Sequence, residues 1–330
     1  MSNRLLVNIA LAGIFMLVAG LPPAAAQSLR LAHHHAVGST IDLTANKFAE
    51  LVNARSKGTL TVKVFPAAQL GQEREAYGLC NTAVIDLCIT SLGIVDQAYP
   101  PINVTSLPFV FRDWDHVYKA YDGKFGAALR DGLKAQTKTE VLGYIHLGFR
   151  DMLFRGDPIR SASGMKGVKM RSPEAAVWIR MFEALGARPT PVTWGEVYSA
   201  MQTGIAEGLE APPMTALDNK FNEVVKSLVR TQHMFASLGI FGSSVKLGRL
   251  SKDQQNLLLV AGEEATKWSN TTISQPGERE AYKRMTALGM TVADPTNIDE
   301  WSKPMRPMWQ EMTSKIAGAD RLLKLILETK

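Results

Sequence analysis

A segment from the first half of the chain recurs in the second half at a fixed offset of 121 residues. Glu75, Tyr77, Cys80, Asn81, Thr82, Ala83, Val84 and Asp86 are answered by Glu196, Tyr198, Met201, Gln202, Thr203, Gly204, Ile205 and Glu207. Each copy follows a Pro-bearing segment, Val64-Phe65-Pro66 in one case and Pro189-Thr190-Pro191 in the other. Each reads as a helix running into a strand. Two copies of one such unit call for two domains of like topology, and 330 residues suit about two domains. Ahead of the first copy, Ser28–Ala32 and the alternating Leu60, Val62 and Val64 read as strands. Between them Ile41, Ala45, Phe48, Ala49 and Val52 recur at helical spacing, and Ser56-Lys57-Gly58 stops the helix. Strand, helix and strand in succession make a βαβ unit, so the expected class is α/β with parallel pairing. The rhythm continues with a helix near 72–82, a strand over Ile85–Thr90, helices near 114–137 and a strand over Val141–Ile145. In the second set, Val168–Arg171 reads as a strand. Val177, Met181, Phe182 and Leu185 share one helix face, and Trp194, Val197, Tyr198 and Met201 another, stopped by Gly204. The last hundred residues read as mainly helical. Ligands of such paired α/β domains sit in the cleft onto which the strand C-termini open.

Residues 1–26 carry one charged side chain, Arg4. An apolar run from Leu5 to Gly20, then Pro22-Pro23 and Ala24-Ala25-Ala26 before Gln27, make up the parts of a cleaved secretory signal peptide. The prolines and the alanine end argue against a membrane anchor, so the chain is expected to be exported and the mature chain to begin at Gln27. No later segment approaches 18 uncharged apolar residues. The full chain has 37 basic and 31 acidic residues; removal of Arg4 leaves a net charge of +5. No run of five or six basic side chains exists to track a nucleic acid, so no nucleic-acid partner is expected. Cys80 and Cys88 are too few for a disulfide-dense scaffold and do not form C-x-x-C. In an oxidising compartment they are either one small-loop disulfide or two buried thiols, and spacing leaves both open.

Catalytic signatures are missing: no G-x-S-x-G, H-E-x-x-H, G-x-x-x-x-G-K-[ST] or G-x-G-x-x-G occurs. His33-His34-His35 suggests a metal, but consecutive residues on extended chain point in alternate directions and cannot easily share one ion. No metal or other cofactor is therefore expected. Two arginines near strand ends stand out, Arg150 after Gly148-Phe149 and Arg171 before Ser172-Pro173. A guanidinium is planar, permanently charged and offers paired donors that match a carboxylate. Arg171 sits where a buried strand meets a loop, the position that feeds the cleft of an α/β domain. Phe149, Trp178 and Trp194 are candidate aromatic walls.

Several segments, in order along nearly the whole mature chain, resemble the solute receptors of tripartite ATP-independent periplasmic (TRAP) transporters, the DctP-like family. They are Ser56-Lys57-Gly58-Thr59-Leu60, Val64-Phe65-Pro66-Ala67-Ala68-Gln69-Leu70-Gly71, Leu107-Pro108-Phe109-Val110-Phe111, Gly148-Phe149-Arg150, Met165 through Arg171, and Gly186 through Pro191 continuing to Glu196-Val197-Tyr198. The resemblance implies a two-domain periplasmic binding protein (type II-like) with its cleft between the domains and a long interdomain helix. One domain would comprise 27–148 with about 237–276, the other 149–236 with about 277–330. It implies a monomeric receptor that captures an organic acid and passes it to a sodium-driven permease of one small and one large membrane subunit. A receptor that presents its ligand to a sensor kinase, or a secreted enzyme with an arginine-lined anion site, are the alternatives. By resemblance Arg171 is the carboxylate anchor, Arg150 the second arginine and Trp194 a pocket wall, with Ser91, His33 and Gln72 near other pocket positions. Two departures stand out: Ala211 replaces a hydrogen-bonding side chain, and Glu174 stands where some members have Asn. The loss at Ala211 leads to the expectation of a less hydroxylated acid. Pro276-Gly277 falls in the long helix and is expected to break or kink it.

Overall fold

In the computed structural model, which describes residues 27–330, nine strands form one sheet whose order is symmetric about its centre. The signal-peptide reading concerns 1–26 and lies outside the described residues. The strands are β1 (Gln27–Ala32), β2 (Leu60–Phe65), β3 (Leu87–Ser91), β4 (Thr139–Phe154), β5 (Lys169–Ser172), β6 (Arg188–Pro191), β7 (Gly208–Ala211), β8 (Ser227–Ser243) and β9 (Thr291–Ala293). Eight of them run β2-β1-β3-β8-β4-β7-β5-β6, and β9 joins the edge of β8. In one half β1 pairs in parallel with β2 and β3, and β3 meets β8 antiparallel. In the other β5 pairs in parallel with β6 and β7, and β7 meets β4 antiparallel. The two halves thus have the same topology, as the sequence repeat requires.

The repeat is visible in the backbone. Helix Glu73–Asn81 leads to β3, and helix Val197–Thr203 leads to β7. Both helices end in a left-handed residue, Ala83 at φ 62° and Gly204 at φ 81°; the second copy uses glycine, which adopts that region without a side-chain clash. The repeated glutamates cap their own helix starts: Glu75 Oε2 accepts from Gln72 N at 3.3 Å, and Glu196 Oε2 accepts from Thr193 Oγ1 at 2.9 Å.

Two long strands join the halves. The first part of β4 pairs with the last part of β8 (Thr139 opposite Ser243), and the last part of β4 with the first of β8 (Phe154 opposite Ser227). Between them β8 bulges: Arg150 faces Met234, yet Met152 faces Val229. Gln232, in the bulge, has φ 43° and donates its N–H to Asp151 Oδ1 at 2.9 Å. Two of these assignments differ from expectation. The strand expected over Val141–Ile145 extends to Phe154, and the 17-residue β8 occupies a region expected to be mainly helical.

The long helix runs as Lys252–Ser269, a π-helical turn Asn270–Ser274, and Gln275–Ala287. The interruption falls one turn before Pro276, because a proline lacks the N–H that would bond to Thr272 and fits only the first turn of a new helix. Asn270 ties the turn to β4, accepting from His146 N at 2.8 Å and donating to Tyr144 O at 3.0 Å. Helix Met305–Thr313 rests on both segment Pro100–Ser106 and helix Ala176–Ala184, so the C-terminal region contacts both halves. One hydrophobic core, including Tyr77, Phe125, Met152, Trp178, Phe182 and Trp309, also extends across both.

The possible Cys80–Cys88 disulfide is not formed: both are fully buried free thiols. Cys80 Sγ lies 3.8 and 3.7 Å from the carbonyls of Asp86 and Phe241, and burial pushes the Cys88 thiol well up, away from the thiolate that exchange requires.

Candidate functional site

Arg171 is the next-to-last residue of β5, at the strand's C-terminal end, and is only 3% exposed. Its Nε and Nη2 both donate to one backbone carbonyl, Val192 O, at 3.0 and 2.7 Å. No carboxylate lies within salt-bridge distance of it among the described residues. Burial pulls its pKa down to about 10, so the group stays charged at neutral pH. A buried cation with donors to spare and no counter-ion suits an anion, because desolvating it is costly unless an opposite charge arrives. Trp194 stacks beside it, with the guanidinium 5.5 Å from the ring centre.

Two adjoining cavities, about 360 and about 30 Å³, share Glu73, Ile94, Arg171, Pro173 and Trp194 in their walls. They lie between the two halves: the wall residues come from helix Glu73–Asn81 and β3 on one side, and from the β5 and β6 ends on the other. The halves are in contact around them. Arg74, held by Asp96 at 3.1 Å, donates to Glu174 O at 2.7 Å; Thr40 donates to Asp218 at 3.1 Å. Gly93 is packed so closely that an added Cβ would fall 2.5 Å from the Trp178 ring.

Arg150 sits on β4 one strand away and is already paired. Its Nε donates to Glu210 Oε2, and its Nη2 to Glu210 Oε1 at 2.6 Å and to Glu210 O at 2.9 Å. Glu210 is fully buried and also accepts from Trp178 Nε1 at 2.9 Å, with His233 Nε2 at 3.5 Å. Burial alone would raise its pKa; Arg150 and His233 outweigh that and hold it at about 2. Arg150 therefore contributes shape and one shared charge, not a free second fork.

Of the residues expected at the site, Arg171, Trp194, Gln72 and Glu174 line the larger cavity, and Arg171, Arg150, Trp194 and Ser91 the smaller. Glu174 is exposed at the rim. Two expectations are corrected. His33 points away, its Nε2 bonded to Asp42 Oδ1 at 3.1 Å, and His34 and His35 line the cavity instead. Ala211 lies in the hydrophobic core of the second half; along β7 it alternates with Glu210, so its neighbour faces the arginine. The expectation of a less hydroxylated acid, which rested on Ala211, falls with it. Sequence reasoning missed Glu210 and Glu73. The signal for Glu210 was a lone carboxylate inside the apolar run Gly208-Leu209-Glu210-Ala211. Among the described residues no three His, Cys, Asp or Glu side chains gather to hold a metal ion.

All six histidines are buried and hold depressed pKa values, with burial as the largest cause; His34 and His146 are pulled to about 3. Below the ordinary 6.5 the unfolded chain takes up protons that the folded chain refuses, until about 3 at His34 and His146. Stability is therefore complete above 6.5 and lost as pH falls through that window. Glu210 adds a loss between 4.5 and about 2. Asp151, raised to about 7 chiefly by burial, acts oppositely: its contribution is full below 3.8 and fades as pH rises through 7, and Asp218 and Glu278 share that direction. Six histidines outweigh three acids, so thermal unfolding followed from pH 7 to 5 should show a steadily falling Tm. A flat or rising Tm would contradict this arrangement.

Two like halves closing on a guanidinium-lined cavity define a bilobal solute-binding protein. The family model DctP, bacterial extracellular solute-binding protein family 7, matches residues 31–316, and the chain belongs to that family. It is 29% identical over 308 residues, 93% of each chain, to the 2,3-diketo-L-gulonate-binding periplasmic protein YiaO of Escherichia coli K12. Among solved structures, a TRAP periplasmic solute-binding protein of Sulfitobacter sp. NAS-14.1 with bound β-D-galacturonate superposes with a TM-score of 0.87 at 26% identity, covering 91% of this chain and 99% of that one. One from Polaromonas sp. JS666 bound to D-erythronate gives 0.87 at 26%, covering 92% and 99%. No helix among the described residues is long and apolar enough to cross a membrane.

Proposed function

We propose that this protein is exported by cleavage before Gln27 and works in the periplasm, capturing a small organic acid between its halves and delivering it to a TRAP permease of small and large membrane subunits. The domains would be 27–148 with about 237–276, and 149–236 with about 277–330. The observation that carries the reading is Arg171, a buried guanidinium that lines both cavities without a carboxylate partner. The acids named for the relatives support a carboxylate as the ligand's shared feature. Arg171 supplies the fork, Trp194 stacks along it, and Gln72, Ser91 and Glu174 frame the entrance and wall.

The test is a thermal-shift screen of mono-, di- and aromatic carboxylates on the mature chain. An acid at 100 times its Kd should stabilise by about 2.7 kcal/mol. Its neutral methyl ester should not. Equal stabilisation by acid and ester would mean that charge recognition is not the basis of binding.

A further inference from the structure

Three carboxylates line the cavities: Glu75 and Glu174 are exposed in the outer wall of the larger one, whereas Glu73 is half-buried, lines both and has no cation against it. Glu73 opens the helix Glu73–Asn81, and its Oε1 accepts from Ser91 N at 2.6 Å and Thr90 Oγ1 at 3.2 Å. Its Oε2 lies 3.6 Å from His34 Nε2, and His34 is neutral at physiological pH. These neighbours fix the carboxylate in place without neutralising it; no lysine or arginine pairs with it among the described residues. The other cavity cations are taken, Arg150 by Glu210 and Arg74 by Asp96 at 3.1 Å. Away from the exposed wall, the site therefore offers one unpaired cation and one unpaired anion to whatever enters.

A ligand answering that pattern places its carboxylate on Arg171 and an O–H donor near Glu73. A second carboxylate there would meet a like charge in a water-poor cavity, where repulsion is poorly screened. We propose that Glu73 sets the ligand class: a monocarboxylate bearing hydroxyl donors, with dicarboxylates refused. This rests on the reading of Arg171 as the carboxylate anchor. His34, His35, Ser91 and Thr215, all in the smaller cavity's wall, add polar groups that further hydroxyls can meet.

Calorimetry with D-galacturonate, D-gluconate and L-lactate against succinate and glutarate, on the wild type, Glu73→Gln and Arg171→Ala, tests this. The wild type should bind its best hydroxy monocarboxylate at least about tenfold tighter than either diacid. Glu73→Gln keeps an acceptor for Ser91 N–H but loses the charge, so it should narrow that ratio by about tenfold or more, weakening the hydroxy acid and strengthening the diacids. Arg171→Ala should weaken every acid. If no acid binds, or binding ignores Arg171→Ala, the anchor reading falls and this proposal with it. If acids bind through Arg171 but the wild type prefers a diacid, or a well-folded Glu73→Gln keeps the wild-type ratio, only the role of Glu73 is overturned. The wild-type preference needs no variant, so a poorly folding Glu73→Gln does not shield the proposal.

Discussion

Arg171→Ala should leave a folded protein that binds its acid about 30- to several-thousand-fold more weakly, the range expected when one member of a buried, hydrogen-bonded charge pair is truncated. The folded chain asks little of this side chain, since among the described residues its hydrogen bonds go to Val192 O alone. The ligand asks much, because a carboxylate that has left water needs strong donors in one plane. Arg171→Lys should fall between wild type and alanine: the charge survives but the fork does not. Calorimetry on an acid identified by the thermal-shift screen reads the loss, and circular dichroism confirms the fold. An Arg171→Ala protein within threefold of wild type would show that the anchor lies elsewhere.

Arg150 should behave in the opposite way, although both arginines line the same cavity. Removing Arg150 leaves Glu210 fully buried with its main counter-charge gone, and removing Glu210 strands the guanidinium. Each single alanine substitution should cost about 3–5 kcal/mol of folding stability, whereas a paired replacement by apolar residues of similar volume should cost much less. Urea unfolding of Arg150→Ala, Glu210→Ala and Arg150→Met/Glu210→Leu measures the difference. Arg171 is therefore expected to be dispensable for folding and Arg150 is not. Wild-type midpoints for both single variants would contradict the pairing.

What could be read from sequence followed from periodicity. β1, β2 and the helices after them alternate or repeat at the spacing of their element, and the offset repeat predicted two like halves. β8 escaped because Met234 to Phe241 is nearly continuous apolar chain, buried on both faces, with no alternation to mark it as a strand. The site was legible where a residue's chemistry stood out: Arg171 and Trp194 were found as single residues. The two misplaced positions were each wrong by one residue. His34 and His35, not His33, line the cavity. Glu210, not Ala211, meets Arg150, because neighbours along a strand face opposite sides. A motif match locates a segment; only the three-dimensional pairing says which side of it looks inward.

The chain passes between the halves through β4, again through β8, and a third time along the helix interrupted at Asn270–Ser274. Neither half is therefore encoded by an uninterrupted stretch of the gene. A stop codon or transposon placed anywhere between the first and last crossing removes strands or helices from both halves at once, and no simple truncation yields a working lobe. A designer who wants to exchange the pocket walls between relatives must transplant interleaved segments, or rejoin the ends so that each half becomes continuous, instead of fusing a front half to a back half.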